Sequence, residues 1–122
     1  MKKIAVVEDN PDNRLLVRVL LEDSYEVLEY EDGLVALEEM PADELDLVLL
    51  DISLPNMDGC EVLQKMKADP RLATLPVIAL TAHASPSDRE RFIAEGFDDY
   101  VTKPITDELV LLSAIAKLIG KP

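Results

Sequence analysis

The sequence predicts an α/β fold: a five-stranded parallel sheet in the order 2-1-3-4-5, with helices on both faces. Short apolar runs alternate with helical stretches from end to end, the pattern of a parallel sheet with crossover helices. The runs at 4–7, 47–50 and 77–80 are continuously apolar, as strands covered on both faces must be. The other two runs are Glu26-Val27-Leu28-Glu29-Tyr30, broken by charge, and the brief Asp99-Tyr100-Val101, and both read as edges. An order of 2-1-3-4-5 satisfies that division with right-handed crossovers. It places the chain reversal between strands 1 and 3, where open sheets of this kind bind ligands beyond their carboxyl ends.

The helices follow from their caps and apolar spacing. Asn10-Pro11 supplies a cap and a proline at the first helical position, ahead of an apolar face of Leu15, Leu16, Val19 and Leu20. The second helix runs from about Leu34 and is ended or interrupted by Pro41. Asp58-Gly59-Cys60-Glu61 resembles a capping box, opening a helix with Val62, Leu63 and Met66 inward. Ser85-Pro86-Ser87-Asp88 opens the fourth helix and Gly96 ends it. Its apolar face is the thinnest, little beyond Phe92, Ile93 and Ala94, which marks it as a candidate for movement. The last helix is expected from Thr106, with a stripe of Leu109, Leu112, Ala116 and Ile119.

Size and charge narrow the function. The 122 residues are expected to form one domain over 1–122, and 48% hydrophobic content supports a packed core. A formal charge of −13 repels nucleic acid phosphates and anionic lipid, which argues against either as a direct partner. Cys60 is the sole cysteine, so no intrachain disulfide can form, and a packing role suits it better than that of a nucleophile. Met1-Lys2-Lys3 precedes only four apolar residues, too few for a signal peptide, and no run has transmembrane length. A cytoplasmic location is expected.

Chemistry concentrates at the carboxyl ends of the apolar runs. The first leads into Glu8-Asp9, the third into Asp51, the fourth into Thr81, and the last is followed by Lys103-Pro104. In a parallel sheet, three carboxylates, a hydroxyl and an ammonium therefore share one edge. Two unit charges about 4 Å apart repel by about 4 kcal/mol at an effective dielectric of about 20. Such a cluster takes up protons or binds a cation, and Mg2+ suits a site of a few carboxylates and several waters. No histidine and cysteine grouping with zinc spacing is present. Asp51 can then act as a nucleophile toward phosphorus, with Lys103 balancing charge and Thr81 donating a hydrogen bond.

The segments Val6-Val7-Glu8-Asp9-Asn10, Leu50-Asp51-Ile52-Ser53-Leu54-Pro55-Asn56-Met57-Asp58-Gly59, Ala79-Leu80-Thr81-Ala82 and Tyr100-Val101-Thr102-Lys103-Pro104 together resemble a CheY-like receiver domain of bacterial response regulators. The resemblance covers almost the whole chain. It implies that Asp51 is the phosphoacceptor and that Asp9, Asp51 and the Ser53 carbonyl ligate Mg2+, with Glu8 acting largely through metal-bound water. It further implies a cis Lys103-Pro104 bond and a switch in which Thr81 moves toward the phosphoryl group and Tyr100 turns inward. The face of the fourth helix, fifth strand and fifth helix would be remodelled for a protein target. The phosphodonor would be a histidine kinase or a histidine phosphotransfer protein. The resemblance also implies that Ser53 and His83, two residues beyond Asp51 and Thr81, would occupy places that tune dephosphorylation. Glu8 stands where the family often has aspartate, a common variation. The stretch Val6 to Arg14 is also faintly similar to the DivK type of single-domain regulator.

Other readings fit less well. A haloacid-dehalogenase-type phosphatase would carry a second aspartate at the position of Ser53, and a flavodoxin-like carrier would not place Glu8-Asp9 against a phosphate. No G-x-G-x-x-G or P-loop occurs, so nucleotide binding is unsupported. An adaptor that keeps the receiver fold and signals without phosphorylation is the alternative from another class. The complete set of acids, Thr81 and Lys103 argues against it. With no output domain after Pro122, the sequence reads as a stand-alone regulator or as a receiver cut from a longer protein, a switch rather than a turnover enzyme.

Overall fold

In the computed structural model, which describes residues 1–82 and 85–122, side chains alternate along each strand and so build two separate apolar layers. The strands are β1 (Lys3–Val7), β2 (Glu26–Tyr30), β3 (Leu47–Asp51), β4 (Val77–Thr81) and β5 (Asp99–Thr102). All pairings are parallel and the order is β2-β1-β3-β4-β5, as the sequence predicts. The helices are α1 (Pro11–Leu21), α2 (Gly33–Glu39), α3 (Gly59–Ala68), α4 (Pro86–Glu95) and α5 (Glu108–Ile119). Ile4, Val6, Leu47, Leu49, Ile78 and Leu80 pack against α1 and α5. Ala5, Val7, Val48, Leu50, Val77 and Ala79 pack against α2, α3 and α4. Each fully buried aliphatic side chain contributes about 1.5–3 kcal/mol, so β1, β3 and β4 form the rigid centre of the molecule.

The capping signals act where the sequence puts them. The Asn10 side chain accepts from the N–H groups of Asp12 and Asn13, and Pro11 starts α1. Asp58 accepts from the Glu61 N–H, and the reciprocal capping box forms between Ser85 and Asp88. Gly96 ends α4 with φ of 114°, a conformation that costs a side-chain-bearing residue roughly 1–2 kcal/mol. Pro41 lies in a 3-10 turn, Met40–Ala42, that follows α2 directly. α5 begins at Glu108 rather than Thr106, because the Asp107 carboxylate accepts from the Leu109 N–H and caps the helix there.

Two helices bury faces other than the expected ones. In α1 the buried residues are Val17 and Leu21, while Leu15, Leu16 and Val19 are 57%, 38% and 56% exposed. Residues 15–17 and 19–21 are all apolar, so the pattern holds no unique face, and contact with the sheet makes the choice. α5 behaves alike: Leu111, Ala114 and Ile115 are buried, Leu109 is 69% exposed, and Leu112, Ala116 and Ile119 lie at the margin. In α4 only Phe92 is buried, and Ile93 and Ala94 face outward. No helix among the described residues is long and apolar enough to cross a membrane.

Candidate functional site

The carboxyl ends of β1, β3 and β4 meet at one edge of the sheet. The Glu8 N–H donates to the Tyr30 carbonyl at 3.1 Å, continuing the β1–β2 ladder one residue past β1, and Glu8 is buried while Asp9 is exposed. Asp51 closes β3 from within the sheet, opposite Leu80, and Thr81 closes β4; both are buried. The Lys103 N–H donates to the Thr81 carbonyl at 2.7 Å, which brings the segment after β5 beside β4. The Lys103-Pro104 bond is cis.

The loop after β3 is held against the site by α3. The Gly59 N–H donates to the Ile52 carbonyl at 3.0 Å. A Cβ at position 59 would lie 2.4 Å from the Asp51 carbonyl oxygen and 2.8 Å from Ile52 Cα, so only glycine permits this approach. The loop that precedes it bends through Asn56, which has φ of 66°, a left-handed conformation that asparagine tolerates.

Charge is dense and partly matched. One oxygen each of Glu8, Asp9 and Asp51 fall within 4.8 Å of one another. The Lys103 ammonium lies 3.2 Å from Glu8 Oε1 and 3.0 Å from Asp51 Oδ1. Asp51 Oδ1 also accepts from the Ser53 N–H at 3.0 Å. Burial pushes the Glu8 carboxyl up to about 7, reinforced by its hydrogen bond to Asp51 and by the charge there, against the pull of Lys103. Burial acts in the same direction on Asp51, but hydrogen bonds from Glu8, the Ser53 N–H and Lys103 outweigh it and lower the Asp51 carboxyl. Burial likewise opposes the charge on Lys103, and its hydrogen bond to Asp51 and the two carboxylate charges overcome this and raise it. The two neighbouring carboxyls are thus pushed in opposite directions, Glu8 up and Asp51 down, with the Lys103 ammonium beside both.

The other predicted residues take distinct places. Ser53 is exposed and meets Asp51 through its N–H. Tyr100 is half-buried on β5, packed on the α2–α3–α4 side, with the Arg89 guanidinium 5.6 Å from its ring centroid. His83 lies outside the described residues. Cys60 is half-buried, and burial, with Glu95 next in effect, pushes its thiol up to about 12, which keeps it protonated and unreactive.

One further residue at this edge lies in the DivK-like stretch but not among the expected site residues. Arg14 Nη1 donates to the Glu8 carbonyl at 2.8 Å and to the Asp9 carbonyl at 3.2 Å. Its position one turn into α1, after the acidic pair and at the end of that stretch, is the signal the sequence carries for it.

Known proteins share this arrangement. A family model described as response regulator receiver domain matches residues 4–116. Sensor protein GacS of Pseudomonas syringae pv. syringae is 40% identical in an alignment of 122 positions that covers 97% of this chain and 13% of that protein. The polar-differentiation response regulator DivK of Brucella anthropi is 42% identical over 106 residues, 86% of each chain. The chain therefore spans only a small part of the GacS sensor proteins and most of DivK. Among solved structures, the receiver domain of a sensor histidine kinase from Pseudomonas aeruginosa, with a magnesium ion coordinated in its active site cleft, superposes with a TM-score of 0.87 at 32% identity and 98% coverage of both chains. Chemotaxis protein CheY4 of Vibrio cholerae superposes with a TM-score of 0.89 at 27% identity, covering 97% of this chain and 98% of its own.

Proposed function

This chain belongs to the response regulator receiver domain family of two-component signalling, and we propose that it is a phosphorylation-controlled switch whose phosphoacceptor is Asp51. The observation that carries this reading is the buried Asp51 side chain held 3.0 Å from the Lys103 ammonium within a cluster of three carboxylates. The donor is a histidine kinase or a histidine phosphotransfer protein, and the output is contact with a protein target. A cytoplasmic setting is part of this reading, supported by the single, protonated cysteine.

The residues fit a hard divalent cation such as Mg2+. Glu8 Oε2 is buried without a hydrogen-bond donor among the described residues, the donor set is all oxygen, and exposed Asp9 opens the cluster to solvent. Asp9, Asp51 and the Ser53 carbonyl would hold the ion, with Glu8 acting through water. When bound, it supplies positive charge to the phosphoryl oxygens.

The protein groups do the rest. Lys103 and the Ser53 N–H fix Asp51 Oδ1, so Oδ2 is the oxygen assigned to attack phosphorus. The new O–P bond forms as the P–N bond to the donor imidazole breaks, and the electron pair leaves with that nitrogen. Thr81 then donates a hydrogen bond from its hydroxyl to a phosphoryl oxygen, and Tyr100 follows into the space behind it, leaving its place beside Arg89. The groove between β5 and α5, bordered by Arg89, Tyr100, Ile105, Leu109, Val110 and Lys117, is the surface this movement reshapes. Exposed Leu15, Leu16 and Val19 on α1, directly after the acidic loop, support docking of the phosphodonor there. Such a domain assists its own phosphorylation and dephosphorylation and is a switch rather than a turnover enzyme.

Incubation with acetyl phosphate, read by intact mass, tests the proposal. One phosphoryl group is expected, dependent on Mg2+ and absent from Asp51→Asn. No adduct with acetyl phosphate and no response of the amide spectrum to beryllofluoride would instead support the phosphorylation-independent adaptor.

A further inference from the structure

We propose that Arg14 is a positioning residue for the cation site, holding the backbone from which Glu8 and Asp9 project. The inference rests on the metal reading given above. Arg14 Nη1 alone bonds both the Glu8 and the Asp9 carbonyl, at 2.8 and 3.2 Å. These two oxygens belong to the consecutive peptide planes that flank the Asp9 Cα. Fixing both planes fixes the direction of the Asp9 Cα–Cβ bond. Asp9 needs this restraint more than its neighbours do, because it is exposed while Glu8 and Asp51 are held by burial.

The guanidinium is itself anchored. Arg14 Nε lies 3.7 Å from Glu29 Oε1, and the other oxygen of Glu29 is 2.6 Å from Arg18 Nη2. Glu29 stands opposite Val6 in the β1–β2 register, two residues before Glu8. The edge strand thus steadies the arginine, and the arginine steadies the acidic loop. Released from it, the loop samples orientations in which Asp9 points elsewhere, and cation binding must bear the cost of ordering it.

Magnesium titration of the full chain by calorimetry, with metal-free amide spectra of the same variants, tests this. Arg14→Met is expected to weaken Mg2+ binding about tenfold, the usual scale for a residue that orients ligands from behind. Arg14→Lys should stay within about threefold of the parent, because a single ammonium can serve both carbonyls as Nη1 does. Glu29→Gln should also lose about threefold, through the loosened anchor. In the metal-free spectrum of Arg14→Met the amides of residues 9 and 10 should move, while those of residues 51–53 and 81 stay in place. Binding by Arg14→Met within about twofold of the parent, or no rescue by lysine, would overturn the inference. Should Arg14→Met fail to fold, Arg14→Gln takes its place with an expected loss of about fivefold, and a loss under about twofold overturns the inference equally. Asp9→Asn separates the two ideas: undiminished Mg2+ binding in that variant would remove the metal reading itself, whatever Arg14 does.

Discussion

α3 and α4 are both ten residues long and both lie on the same side of the sheet, yet they are held very differently. α3 buries Gly59, Val62, Leu63 and Met66, whereas α4 buries Phe92 alone. By area, the three large side chains of α3 supply roughly 6 kcal/mol of gross burial and Phe92 about 2–3 kcal/mol, both upper estimates. What else holds α4 is peripheral, and includes an edge-to-face contact of Phe92 with Phe97 at 5.9 Å, a hydrogen bond from the Gln64 amide to the Glu95 carbonyl at 3.2 Å, a capping box, and guanidinium contacts of Arg89 with Tyr100 and Arg91 with Phe92. Each of those contributes on the order of 1 kcal/mol. The helix behind Asp51 is clamped, and the helix that follows Thr81 is only tethered. In the proposed switch the phosphoacceptor must keep its geometry while the surface that reports on it must shift, and the two helices would divide those demands.

The contrast breaks most readily at the core. Leu63→Ala on α3 should cost about 3 kcal/mol, and Ile93→Ala on α4, at an exposed site, under about 0.5 kcal/mol. Urea unfolding measures both, and equal losses would end the distinction. Next in size is the clamp itself. Gly59→Ala forces a Cβ into the Asp51 carbonyl and should cost about 2 kcal/mol while slowing phosphorylation by acetyl phosphate. Gly96→Ala at the end of α4 should cost about 1 kcal/mol and leave that rate unchanged, since it strains only a helix terminus. The smallest effect is dynamic. Amides of residues 86–95 should exchange about tenfold faster than those of 59–68 under native conditions, and matching protection would contradict the tethered picture.

Much of the site was legible in the chain because parallel strands leave a strong mark. The apolar runs of β1, β3 and β4 are buried on both faces and so read without interruption, and the polar residue that ends each run falls at the same edge of the sheet. Glu8, Asp51 and Thr81 are predictable for that reason, and so are the edges β2 and β5, where charge enters the pattern. The N-terminal caps at Asn10, Asp58 and Ser85 were equally legible, since a cap is a local hydrogen bond between near neighbours in sequence.

The helix faces were not. α1 is apolar almost all round between Leu15 and Leu21, so its period singles out no side, and the packing of Val17 and Leu21 on the sheet leaves Leu15, Leu16 and Val19 outside. α5 repeats the case with Leu111 and Ile115 in and Leu109 out. Arg14 shows the same limit in polar form: its partners are backbone carbonyls and a glutamate on another strand, and a carbonyl has no residue identity for a motif to record. By itself, then, the sequence determined strand order, caps and the acidic edge, because each depends on local pattern or on complete burial. Which helix surface meets the sheet, and which cation steadies the acidic loop, only the tertiary structure decided, because both are choices among contacts that the same residue types satisfy equally well until the elements pack.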